Sequence, residues 1–171
     1  MSWFNSSALM ILSIICYTSS SFALSVGDRA PDFSLQGSDG KTHQLSDYKG
    51  KNIVIVAWFP RSFTPGCTIE CKSFAEHGHL LDEMNVKYFM ASTDSLDDVS
   101  KFADAMDAQF PILSDSKKEV SRAYGVLKYQ SFSSRVTHYI GLDGNVSFID
   151  RNIPPATSAQ DIATRLANLA E

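Results

Sequence analysis

Two thiols four residues apart, Cys67 and Cys71, stand where an apolar run gives way to helix-compatible residues. The run Ile53-Val54-Ile55-Val56-Ala57-Trp58-Phe59 has the length and β-branched content of a buried strand, and it stops at Pro60. After Arg61-Ser62-Phe63-Thr64, Pro65 suits a first helical turn, and Thr68-Ile69-Glu70-Cys71-Lys72-Ser73-Phe74 continues it to about Met84. Cys67 is therefore expected at a helix N-terminus. Unpaired backbone N–H groups and the positive end of the helix dipole favour its thiolate there. The thiolate is the attacking form of a cysteine, so the pattern offers an activated nucleophile rather than a packed sulfur.

The elements around these thiols follow from period and punctuation. Asp39-Gly40 between Phe33/Leu35 and Thr42/Leu45 predicts an N-terminal hairpin. Val86-Lys87-Tyr88-Phe89-Met90-Ala91 reads as a strand, and Ser95 as the N-cap of a helix on which Leu96, Val99, Phe102, Ala103 and Met106 share a face. Pro111-Ile112-Leu113 is a short strand, and Lys118–Tyr124 a short helix closed by Gly125. Val136–Ile140 and Val146–Ile149 flank Asp143-Gly144-Asn145 as a second hairpin, before an amphipathic helix carrying Ile162, Leu166 and Leu169. Strands alternating with helices indicate an α/β layered sheet. No repeat, linker or low-complexity tract divides the chain.

The 171 residues, 44% hydrophobic and 20% charged, suit one domain with a substantial core. A net charge of −4 without a Lys/Arg-rich run gives no nucleic-acid patch. Three cysteines are too few for a disulfide scaffold. Residues 1–23 carry no charge, and Ala8–Tyr17 has the length of a signal-peptide apolar region, too short to span a bilayer comfortably. Small residues at Ser21 and Ala23 suit a cut before Leu24, which makes residues 1–23 a leader and 24–171 the mature domain. No positive charge precedes the apolar region, so an uncleaved anchor stays open. A lipid anchor at Cys16 is disfavoured by bulky Ile14 and Ile15. Cleavage removes Cys16 and leaves an exported protein with one cysteine pair and no stable membrane association.

The string Pro60-x-x-x-Thr64-x-x-Cys67 resembles the active-site signature of the peroxiredoxins, thiol peroxidases on a thioredoxin-like fold. Gly27-Asp28-Arg29-Ala30-Pro31-Asp32-Phe33, Asp39-Gly40-Lys41, Leu45–Lys51 and Thr64-Pro65-Gly66-Cys67-Thr68 resemble the bacterioferritin-comigratory, or Q-type, branch. So does Arg135 ahead of a strand leading to Asp143-Gly144, and the likeness spans residues 25–170. It implies a central mixed β-sheet flanked by helices, with Cys67 attacking hydrogen peroxide or an organic hydroperoxide. The residue types suit that chemistry. Thr64 can both donate and accept, Arg135 offers a permanent charge with several donors, and Pro60 shields the thiolate without an N–H to compete. The N–H groups of Gly66 and Cys67 are further candidate donors. Thr64 also reads as an ordinary N-cap, Arg61 as solvated, and Glu70 as a first-turn hydrogen-bonding residue without a chemical role.

The resemblance implies a thioredoxin-like reductant, no cofactor, and a monomer. It departs from the branch at Cys71, since a resolving cysteine on this helix usually lies five residues on. Four residues along a helix separate the Cβ atoms by about 6 Å, against the ~3.8 Å of a disulfide, so a Cys67–Cys71 bond requires the first turn to unwind. The alternative is a one-cysteine mechanism resolved by an external thiol.

The same spacing occurs in Sco-type copper chaperones, which add a distant histidine, and His138 could serve, with His77 and His79 as a local pair. Against this, Thr64-Pro65-Gly66 precede the first cysteine, Arg135 would repel a cation, and two helical residues two apart do not face the same way. A general disulfide oxidoreductase would use Cys-x-x-Cys, which is absent. No glycine-rich phosphate loop follows a strand, and no haem, flavin or nicotinamide site is visible.

Overall fold

The computed structural model describes residues 24–169, so the expected leader lies outside the described residues. The apolar run becomes β3 (Ile53–Trp58), and its alternating side chains serve two cores. Ile55, Ala57 and the following Phe59 enter one core with Cys67, Cys71 and Phe74; Val54, Val56 and Trp58 enter the other with Tyr124, Val136 and Ile140. A strand covered on both faces has no polar side to show, which is why the run is continuous rather than alternating.

β1 (Ser34–Gly37) and β2 (Thr42–Gln44) form the expected N-terminal hairpin, with Gly40 at φ +74 supplying the left-handed turn residue. β4 (Val86–Ser92) pairs parallel with β3, and β5 (Ile112–Ser114) parallel with β4. β8 (Val136–Ile140) pairs antiparallel with β3 and with β9 (Val146–Asp150). The mixed seven-stranded sheet has the order β2-β1-β5-β4-β3-β8-β9. A two-stranded hairpin, β6 (Leu127–Lys128) and β7 (Phe132–Ser133), stands apart from it. Its strands are too short for periodicity to reveal, and its turn residues Tyr129 and Gln130 adopt positive φ without the usual Asn or Gly.

The helices are α1 (Pro65–His77), α2 (His79–Asp82), α3 (Leu96–Ala105), α4 (Glu119–Ala123) and α5 (Ser158–Leu169). Ser95 caps α3 as expected, its Oγ accepting from the Asp98 N–H at 3.1 Å. Gly125, at φ +67, closes α4. The helix opened by Cys67 is shorter than expected: it breaks at Gly78 instead of running to Met84. A Cβ at Gly78 would stand 2.6 Å from Tyr88 Oη and 2.5 Å from the Phe74 carbonyl, so the chain turns against β4 where only glycine fits. α5 packs on α1 through Ile162, Ala163 and Leu166.

Candidate active site

Sheet register brings Arg135 to Cys67 across 68 positions of sequence. Trp58, the last residue of β3, pairs with Val136, the first of β8, so the residues just beyond each strand, Phe59 and Arg135, emerge side by side at one sheet end. From there the chain loops to α1. Thr64 occupies the N-cap position with extended backbone, Pro65 opens the helix, and the Thr68 N–H makes the first intrahelical bond to the Thr64 carbonyl at 2.9 Å. The N–H groups of Gly66 and Cys67 precede that bond and point out of the helix start.

Cys67 is 1% exposed and Cys71 is fully buried, and both are free thiols. The Arg135 Nη2 donates to Cys67 Sγ at 3.4 Å. Gly66 makes that approach possible: a Cβ on it would stand 3.2 Å from the same nitrogen. Burial, reinforced by the neighbouring Cys67 sulfur, pushes the Cys71 thiol up to about 12, so it stays protonated while the helix is intact.

Glu70 is the residue that sequence reasoning undervalued. Its carboxylate is wholly buried and ion-paired through Oε2 with Arg135 Nη1. Ser158, at the start of α5, donates to its Oε1 at 3.5 Å. The guanidinium is thus held between a carboxylate and a sulfur, three residues apart on one face of α1. That spacing was the available signal: an acid at i+3 from a buried thiol shares its face and needs a cation there.

Thr64 differs from its expected capping role. Its hydroxyl donates to the Arg61 carbonyl at 2.9 Å, and its side chain makes no cap bond to the helix. Pro60 is half-buried at the loop entry, where the Ser133 Oγ–H holds the preceding Phe59 carbonyl at 2.6 Å. The Ser62 N–H donates to Asp94 Oδ2 at 2.7 Å, and Arg61 is exposed as expected.

The metal reading fails on geometry. His138 lies between Val136 and Ile140 on β8, packed edge-on to Tyr124 on the sheet face opposite the thiols. His77 and His79 do come together, their ring centroids 6.4 Å apart, because the helix breaks between them. Even so, no group of three or more His, Cys, Asp or Glu among the described residues could hold a metal ion. Arg135 already occupies the sulfur.

Residues 26–149 match the model of the AhpC/TSA family. Peroxiredoxin Bcp of Bacillus subtilis is 32% identical over 128 residues, covering 75% of this chain and 80% of that protein. Peroxiredoxin Bcp of Escherichia coli is 32% identical over 133 residues, covering 74% and 85%. Peroxidoxin BcpB of Mycobacterium tuberculosis superposes with a TM-score of 0.77 at 25% identity, over 85% of this chain and 98% of its own. A Cys-to-Ser mutant of Xylella fastidiosa PrxQ shares the fold, with a TM-score of 0.80 at 24% identity over 88% and 99%. The chain belongs to the AhpC/TSA family, among the Q-type or Bcp peroxiredoxins. Its activity is accordingly that of a thiol-dependent peroxidase on a thioredoxin fold, and the Sco-like copper reading falls away.

Proposed function

We propose that Cys67 is the peroxidatic thiol, attacking one oxygen of hydrogen peroxide or an organic hydroperoxide. The S–O bond forms as the O–O bond breaks, leaving a sulfenic acid on Cys67 and water or an alcohol as the other product. The observation that carries this is the Arg135 Nη2–Cys67 Sγ contact with Glu70 behind it, which aims a permanent positive charge and donor at the sulfur and the reacting atoms. The Thr64 hydroxyl, its proton held by the Arg61 carbonyl, keeps acceptor lone pairs for the peroxide O–H, and Pro60 shields the sulfur from water. The Gly66 and Cys67 N–H groups complete the anion-stabilising side.

Cys71 then resolves the sulfenic acid, forming the S–S bond and releasing water. Its elevated thiol pKa orders the steps. While α1 is intact Cys71 is neutral and does not compete for peroxide; unwinding of the first turns brings the sulfurs together and hydrates Cys71, which favours its thiolate. A thioredoxin-like dithiol protein returns the pair to thiols. We further assign residues 1–23 as an export leader, the mature protein to a compartment outside the cytoplasm, and the working form to a monomer. Peroxide consumption with a thiol donor tests the assignment: Cys67→Ser removes turnover, and Arg135→Met lowers kcat/KM about a hundredfold or more. Full turnover by Cys67→Ser would refute the role of that thiol.

A further inference from the structure

The loop that carries Pro60 and Thr64 forms one wall of a polar groove lined by Arg61, Ser62, Phe63, Thr93, Lys118 and Ser131. Three features single this groove out. Ser62 is only 7% exposed, yet its hydroxyl has no partner. Phe63 is 54% exposed at φ +62, its ring edge-on to buried Phe102 at 5.2 Å. Two residues before the lining residue Ser131, the β6–β7 turn carries Tyr129, 85% exposed, and the turn is tied to the groove where Thr93 Oγ1 donates to the Ser131 carbonyl at 3.1 Å.

Of the five non-glycine residues with positive φ, Phe63 and Lys118 line this groove, and Tyr129 and Gln130 lead directly into its lining residue Ser131. A bulky side chain in that conformation costs energy, and such positions gather where a surface is shaped for a ligand. Exposed aromatics beside an arginine are the side chains that dominate protein–protein contact energies. The groove acids are already engaged: Asp94 accepts the Ser62 N–H, and Asp98 accepts the Ser95 hydroxyl at 2.6 Å. Neither Arg61 nor Lys118 forms an ion pair among the described residues.

We infer that this groove is the docking surface for the protein that reduces the enzyme, with Tyr129 and Arg61 as its main contacts. The inference rests on the proposed reduction by a thioredoxin-like donor. Both sulfurs are buried, so a donor must engage the loop and helix start that cover them, and this groove is built from that loop. A donor docked there engages the loop that leads into Cys67, and its attacking thiolate meets the Cys67–Cys71 disulfide once the first turn has unwound. One sulfur is displaced as a mixed disulfide forms, and the donor's second thiol then closes the donor disulfide. Two electrons and two protons pass from the donor dithiol, leaving Cys67 and Cys71 as thiols.

The test compares wild type with the Arg61→Ala/Tyr129→Ala double variant, using either a purified thioredoxin or dithiothreitol as reductant. We expect the KM for thioredoxin to rise about tenfold or more, with dithiothreitol-driven turnover and single-turnover oxidation by peroxide unchanged. An unchanged thioredoxin KM would overturn the docking surface alone. Loss of dithiothreitol turnover in the variant would also overturn it, because the residues would then serve the peroxide site. Wild type that turns over with dithiothreitol but with no thioredoxin would instead sink the donor assignment, and the docking surface with it.

Discussion

Arg135 can hold the Cys67 sulfur because Glu70 neutralises its other face and Gly66 leaves room for it. Each part predicts a separate defect. Gly66→Ala introduces a Cβ that crowds Nη2, so peroxide reactivity falls about tenfold while the fold stays intact, measured as the single-turnover rate beside the melting curve. Glu70→Ala leaves the part-buried Arg135 guanidinium unpaired and lowers stability by about 2 kcal/mol in denaturant titration. Glu70→Gln keeps the shape but not the charge, and is expected to lower the single-turnover rate with peroxide about tenfold, because Arg135 is no longer anchored at the sulfur. An unchanged rate would assign Glu70 to packing alone. Cys67 at a helix start was legible from the strand, Pro60 and Pro65 around it, whereas Arg135 was named only through the resemblance, since no spacing links it to the thiol. For Glu70 the i+3 spacing from Cys67 gave only a shared helix face; its weight comes from burial beside Ser158 of α5, a long-range contact that spacing does not reveal.

At the scale of elements, α1 must be rigid enough to hold the thiolate and loose enough to unwind for Cys71. Its second and third turns are fastened to α5: Ser73 Oγ donates to Gln160 Oε1 at 3.1 Å and accepts the Ala159 N–H at 3.3 Å, while Ser158 reaches Glu70. Ser73→Ala loosens that fastening. It is expected to raise the rate of disulfide formation several-fold and to lower thermal stability by about 1 kcal/mol. Stopped-flow tryptophan fluorescence reads the rate, and an unchanged rate would mean that α5 does not restrain the unwinding. The strands and most helix boundaries were readable from apolar runs, Ser95, Gly125 and the two Asp-Gly turns. The break at Gly78 was not, because it depends on Tyr88 arriving from a strand ten residues later. The β6–β7 hairpin escaped because Tyr129 and Gln130 carry none of the residue chemistry its turn ordinarily uses.

For the whole molecule, the two faces of the sheet do different work. The thiol face does the chemistry, and the other buries His138 with both ring nitrogens unpartnered. Burial, with a contribution from Arg151, lowers the His138 pKa to about 4. Unfolded, the ring takes a proton near pH ~6.5, so the unfolded chain binds more protons between these values. Stability is therefore full above pH ~6.5 and is lost as pH falls toward 4, by at most about 3 kcal/mol. His138→Leu should flatten that slope in melting curves between pH 7 and pH 4 without altering the peroxide reaction at pH 7, and a slope unchanged by the substitution would assign it elsewhere. The central claim, that Cys67 attacks peroxide and Cys71 resolves the product, is tested most directly by intact mass after one equivalent of hydrogen peroxide. Wild type should lose two hydrogens as the disulfide forms, and Cys71→Ser should hold a trappable sulfenic acid on Cys67. A stable sulfenic acid in both proteins would contradict the resolving role of Cys71, and an unmodified Cys67 in both would contradict the account itself.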